Sequence, residues 1–144
     1  TKMSELGAEM LVETLDSFEK GIIEECIQDE SNATKAPKIS TSIAVIDWNK
    51  SAHDIHNLIR GLTPFPGART VLNGKNIKLF NTTFIDQEST FKVGEISHLE
   101  KESFTVQTGH GQIIVEEVQL EGKRHMKTSD YLRGVHLLTG TRLS

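Results

Sequence analysis

Thr70-Val71-Leu72-Asn73-Gly74-Lys75-Asn76-Ile77-Lys78-Leu79-Phe80 is the stretch on which the fold turns. Thr70-Val71-Leu72 and Ile77-Lys78-Leu79-Phe80 read as strands, because beyond Gly67 the apolar period is two. Asn73-Gly74 between them is a strong hairpin signal, since both central residues of a type I′ turn need φ > 0. Further along, Val93 to Leu99, Phe104 to Thr108 and Gln112 to Leu120 are strand candidates. Gly109-His110-Gly111 makes a tight connection between the last two, and Glu116-Glu117 interrupts the alternation as a bulge would. Five or so short strands with close turn signals predict a small antiparallel barrel, of which the OB-fold is one kind.

Upstream of the hairpin the period is helical. Ser51-Ala52-His53-Asp54 is a capping-box-like start, with Asp in place of the usual Glu or Gln. Ile55, Leu58, Ile59 and Leu62 then form one apolar face, and Gly61 followed by Pro64-Phe65-Pro66-Gly67 stops the helix. Residues 4–20 read as an amphipathic helix carrying Leu11, Leu15 and Phe18, with Gly21 as its C′ glycine. From Ile22 to Ser42 no period survives, and Ala36-Pro37 forces an extended backbone. Thr128-Ser129-Asp130 caps a short last helix ending at Gly134. The expected class is α+β, mainly β. It is a small antiparallel OB-like open barrel with flanking helices, preceded by an amphipathic helix and an extended linker. The expected domains are 1–42 (terminal helix and linker) and 43–144 (barrel).

Length and composition bound the function. A chain of 144 residues makes one domain, or one plus a fragment of another. No run approaches the roughly 18 apolar residues of a membrane span. The chain starts without Met, in what reads as mid-helix, so a fragment is expected. The lone Cys26 excludes an intramolecular disulfide and fits a reducing cytoplasm. Net charge is -4, and it is uneven. Residues 1–42 hold four basic and nine acidic side chains (-5), whereas residues 43–144 hold twelve and eleven (+1). Any contact with nucleic acid must then come from local clustering rather than bulk charge.

Catalytic signatures are missing from the sequence: no Gly-x-Ser-x-Gly, no phosphate-binding glycine loop, no Cys-x-x-Cys. His53 and His56 lie three apart on a helix, but Asp54 points elsewhere, so they read as solvated positions and not a metal pair. Glu24 and Glu25 beside Cys26 would raise a thiol pKa and argue against a nucleophile. The basic residues are the better signal. Lys123-Arg124 with Lys127 is the densest group, Lys75 and Lys78 sit in and after the hairpin turn, and Arg60 and Arg69 bracket Pro64-Phe65-Pro66-Gly67. On a barrel, such loops could form one face toward phosphates; the plain alternative is ordinary solvated surface. Trp48 and Phe65 could stack on bases, but as a lone Trp and a Phe between prolines they read first as core or staple residues.

Four stretches, in order, resemble the methionyl-tRNA formyltransferase family. Glu5-Leu6-Gly7-Ala8-Glu9-Met10-Leu11 with Leu15 looks like the helix near the end of its catalytic domain. Gln28-Asp29-Glu30, Ala33-Thr34 and Ala36-Pro37-Lys38-Ile39 look like its interdomain linker. Ile46-Asp47-Trp48, Ser51-Ala52 and Ile59 through Ala68 are the most specific match. Thr108-Gly109-His110-Gly111, Gln119, Gly122-Lys123-Arg124, Met126 and Tyr131-Leu132-Arg133-Gly134 complete the pattern. The resemblance implies a parent enzyme that transfers a formyl group from 10-formyltetrahydrofolate to initiator methionyl-tRNA. It implies an Asn, His and Asp set in a Rossmann-like domain preceding residue 1. No residue here matches that set, so no catalytic residue, metal site or bound folate is carried over, and this chain alone is expected to be inactive. It also implies an OB-type barrel that helps hold the tRNA. Lys38 matches a family lysine near the RNA path, although Ser40-Thr41-Ser42-Ile43 replaces the Lys-Glu pattern common after it. The expected tRNA-contacting set is Lys38, Arg60, Lys75, Lys78, Lys123, Arg124 and Lys127. Expected partners are initiator methionyl-tRNA and the catalytic domain, with no membrane. The first helix, stripped of that domain, is expected to dock on the barrel, pair with a second copy or fray. The alternative is the similar barrel of a sugar- or folate-dependent formyltransferase, serving as an interaction module.

Overall fold

The computed structural model describes residues 2–23, 25–36 and 38–144. The expectations for Glu24 beside Cys26 and for the Ala36-Pro37 backbone involve Glu24 and Pro37, which lie outside the described residues. The chain divides into two compact units, Thr1–Pro37 and Lys38–Ser144.

In the first unit, α1 spans Lys2–Glu19 and none of its residues is buried. Its end is a Schellman motif. Gly21 takes φ 67, its N–H donates to the Phe18 carbonyl, and the Ile22 N–H donates to Ser17. Glycine tolerates that left-handed backbone without a Cβ clash. The polar stretch after it holds a 3-10 turn, Glu30–Asn32, capped by the Asp29 side chain accepting from the Ser31 N–H.

In the second unit, α2 (Ala52–Leu62) begins at Ser51, whose hydroxyl accepts from the Asp54 N–H at 3.1 Å. The reciprocal arm differs from a capping box: the Asp54 carboxylate accepts from the Ser51 hydroxyl (2.7 Å). Asp is one methylene shorter than the Glu that would reach the backbone N–H of the cap. Ile55, Ile59 and Leu62 are buried and Leu58 is partly so. Each buried aliphatic side chain contributes roughly 1.5–3 kcal/mol. Gly61 does not stop the helix; it lies inside it. The stop is Pro64, which holds the residue before it extended, and Thr63 sits at φ -82, ψ 135.

The strands are β1 (Ala68–Leu72), β2 (Lys75–Ile85), β3 (Ile96–Leu99), β4 (Phe104–Gln107), β5 (Gln112–Leu120) and β6 (Met126–Lys127). They form one six-stranded antiparallel sheet in the order β1-β2-β5-β4-β3, with β6 on β5. The β1–β2 turn is as its sequence requires: Asn73 at φ 51, Gly74 at φ 73, and Leu72 opposite Lys75. Two expectations change. The third strand starts at Ile96 and not at Val93, and its register shifts between Ile96 and His98. Glu116-Glu117 makes no bulge: the β2–β5 register is the same on both sides, Phe80 with Glu117 and Thr82 with Val115. What the charged pair marks is a switch of buried face. In β5 the buried positions pass from Ile113 and Val115 to Val118, and in β2 from Thr82 back to Leu79. Asn81, at φ 39, sits at the switch and donates to the Glu116 carboxylate (2.8 Å). Both strands break alternation at the same level, so no residue is inserted.

No period in the sequence marks residues 141–144 as structure. Ser144 exchanges backbone bonds with Val71 of β1, while Ile96 of β3 donates to Thr141 and Leu143 donates to Gly94. Residues 141–144 thus bridge both edges of the sheet, an arrangement compatible with an open barrel. The core holds Ile46, Trp48, Ile77, Leu79, Phe104, Val106, Ile113, Val115 and Leu143. Trp48 belongs to it, and its indole N–H donates to Thr70 Oγ1 at 3.0 Å. α3 spans Thr128–Gly134. Thr128 does not cap it: Lys127 occupies the cap position, and Thr128 is buried with its hydroxyl unpaired.

Candidate nucleic-acid interface

The hairpin register decides which cations meet. Arg69 on β1 pairs with Lys78 on β2, and Lys78 pairs in turn with Gln119 on β5. Like charges directly opposite each other across strands are destabilising, so a carboxylate between them would be expected. Among the described residues the one ion pair between a Lys or Arg and a carboxylate is Arg133–Asp130 at 3.0 Å. Arg69 and Lys78 line a groove with Asn76, Gln119, Glu121 and Gly122. Its one carboxylate, Glu121, accepts from Asn76 at 3.1 Å. Gln119 Nε2 donates to the Lys123 carbonyl at 2.9 Å, which ties the Lys123-Arg124 turn to the same row. The Lys78 stem crosses Gly67: a Cβ there would meet Lys78 Cδ at 3.0 Å and Phe80 Cζ at 3.1 Å, and Gly67 sits at φ 79.

Beside this row lies a second groove of about 530 Å³, lined by His56, Arg60, Thr63, Phe80 and His125 among others. Phe80 is buried and stacks on His125 with centroids 4.4 Å apart. The outer edge of that imidazole meets the Glu117 carboxylate at 2.9 Å. His56 Nδ1 lies 3.0 Å from the Thr82 hydroxyl. Burial first, then the charges of Arg60 and His53, hold its imidazole below the usual range. Arg60 is exposed in the last turn of α2, its guanidinium donating to Asn57 Oδ1 at 3.1 Å.

The sequence-expected set is thus divided. Lys78 and the Lys123-Arg124 turn come together with Arg69, which brackets the Pro64–Gly67 segment and stands outside the expected tRNA-contacting set. The register across Asn73-Gly74 is the signal that would have included it. Arg60 stands at the neighbouring groove, and Lys75 is exposed at the start of β2. Lys38 is exposed at the start of the second unit. Lys127 faces Glu117 across β5–β6 and lines a cleft with Glu100, Glu102, Glu116 and Asp130, so the fold does not bring it to the Arg69–Lys78 row. Phe65 departs from the core or staple reading: it is 84% exposed at the tip of its loop. A pair of prolines holds it in a turn where no neighbouring element covers it.

The Thr108-Gly109-His110-Gly111 loop is structural. Its N–H at Gly109 donates to Trp48 and Lys50, and the His110 carbonyl accepts from Ala52 at 2.8 Å. Thr108 is buried and its hydroxyl bonds the His110 and Gly111 carbonyls. The His110 ring, exposed, lies between Asp86 (3.0 Å) and Glu88 (3.1 Å). Glu88 also accepts from the Gly111 N–H, and that bond foremost holds its carboxyl below the usual range. Among the described residues no group of three or more His, Cys, Asp or Glu is placed to hold a metal ion, and no helix is long and apolar enough to cross a membrane.

Residues 38–136 match the family model described as "Formyl transferase, C-terminal domain". The chain is 42% identical over 140 residues to a methionyl-tRNA formyltransferase of Agathobacter rectalis, covering 97% of this chain and 45% of that protein. A methionyl-tRNA formyltransferase of Streptococcus thermophilus is 41% identical over 134 residues, or 93% of this chain and 42% of that one. The chain thus spans less than half the length of these curated relatives. Among solved structures, HypX from Aquifex aeolicus superposes with a TM-score of 0.66 at 22% identity, over 89% of this chain and 24% of that one. The HypX likeness bears on the fold alone.

Proposed function

Because the chain belongs to the formyl transferase C-terminal domain family, we propose that it is the RNA-contacting portion of a methionyl-tRNA formyltransferase. In this reading the whole protein moves a formyl group from 10-formyltetrahydrofolate to the amino group of initiator methionyl-tRNA, in the cytoplasm. The reacting groups lie outside these 144 residues. This portion contributes grip and orientation, which hold the acceptor amine in place for chemistry done elsewhere. Names of relatives that include methionyl-tRNA support the substrate class. Leu11, Leu15 and Phe18 of α1 are 60%, 57% and 71% exposed. They supply an apolar stripe for the catalytic portion, and without it for a second copy of the chain.

The observation that carries the reading is the Arg69–Lys78 row, two opposed cations without a carboxylate between them. A polyanion removes the repulsion that the fold leaves in place, and releases counterions as it binds. Lys123, Arg124, Lys75, Arg60 and Lys38 extend the contact to either side, whereas Lys127, among the carboxylates of its cleft, stands outside it. Reversing the row, Arg69→Glu with Lys78→Glu, is expected to abolish retention of initiator tRNA on a filter at low salt while the circular dichroism stays native. Undiminished retention by that folded variant would overturn the assignment. A formylation assay tests the other half: residues 1–144 alone turn over no methionyl-tRNA, and turnover by this chain would place reacting groups within it.

A further inference from the structure

Phe65 is the most exposed aromatic residue of 38–144, at 84%. Leaving such a ring in water forgoes roughly 1.5–3 kcal/mol of burial, yet the loop that carries it is firmly built. Gly67 N–H donates to the Leu62 carbonyl at 2.9 Å, Thr63 Oγ1 donates to Ile59 at 2.7 Å, and Pro64 and Pro66 each fix their own φ. The loop that carries the ring is flanked by cations. Arg60 lies one helical turn before the loop, and the Lys78 stem crosses Gly67 just after it, with Arg69 alongside. None of the three has a carboxylate partner among the described residues.

A preorganised aromatic face flanked by unpaired cations is the combination that binds unpaired nucleotides: the ring takes a base and the cations take its phosphates. A duplex offers phosphates but no free base face, and an acidic protein partner would use the cations but would not need an uncovered ring held rigid between prolines. We propose that Phe65 is a stacking platform for an unpaired nucleotide of the bound RNA, with Arg60 and Lys78 holding the phosphates on either side. This rests on the RNA-contacting reading above and names the part of the RNA it takes.

The test titrates the 144-residue chain against a short single-stranded RNA carrying 2-aminopurine, and against a blunt RNA duplex. Stacking on one aromatic is worth about 1–3 kcal/mol, so Phe65→Ala is expected to weaken single-strand binding by about 5- to 150-fold and leave duplex binding unchanged. Phe65→Trp restores the affinity and the quenching of 2-aminopurine. Lys78→Ala flattens the salt slope on the single strand by about 0.7. If Phe65→Ala keeps wild-type affinity, or weakens strand and duplex alike, the platform is wrong while the RNA reading stands. If the wild-type chain binds neither RNA at low salt, both fall.

Discussion

Gly109 has no room for a side chain. A Cβ built there overlaps the Asn49 carbonyl, and backbone cannot step aside as a flexible side chain could. Gly109→Ala is therefore expected to cost at least about 2 kcal/mol, read as a lowered urea midpoint at unchanged m-value. The glycine's place in a tight connection was legible, but its reason was not, because Asn49 is sixty residues away in sequence. His56 behaves likewise: its place on α2 is legible, while the burial and the Arg60 charge that govern it come from packing. Its folded pKa is below 6.5, so the unfolded chain binds more protons once the pH drops under that value. Its contribution to stability is whole above 6.5 and is lost as the pH falls toward the folded pKa. His56→Gln should flatten the fall in stability as the pH drops below 6.5, measured by denaturant melts. A fall of equal size in both proteins would contradict this.

At the scale of elements, local signals are legible in the sequence and distant ones are not. Asn73-Gly74 announced the hairpin because a type I′ turn is a property of two residues. Ile55, Ile59 and Leu62 announced a helix face because their spacing alone places them together. Residues 141–144 announced nothing. They are four residues without a period, and they become structure only because β1 and β3 present free backbone groups on either side. Met126–Lys127 is strand for the same reason, paired to β5. This edge segment is expected to matter energetically, since Leu143 is 1% exposed. Leu143→Ala should cost roughly 2–4 kcal/mol, and hydrogen exchange should then quicken first at Val71 and Ile96, whose N–H groups donate to the segment's carbonyls. Equal loosening across β5 would place the segment's role elsewhere. The Arg69–Lys78 row was half legible: each cation could be read from sequence, but their apposition needed the register.

Across the whole molecule, charge is the property that connects fold to function. Residues 43–144 sum to only +1, so binding cannot rest on bulk attraction. The fold supplies what the sum does not, by gathering Arg69, Lys78 and the Lys123-Arg124 turn on one side of the β1–β2–β5 ladder. The most direct measurement is a titration of the chain against initiator tRNA across a range of salt, repeated with Arg69→Ala, Lys78→Ala and Lys123→Ala. Log affinity should fall linearly with log salt, by about 0.9 per phosphate neutralised on duplex, and each substitution should flatten that slope by about 1. No binding even at low salt, or binding whose slope none of the three variants changes, would contradict the RNA-contacting role. The domain's part would then be to complete or orient the catalytic portion.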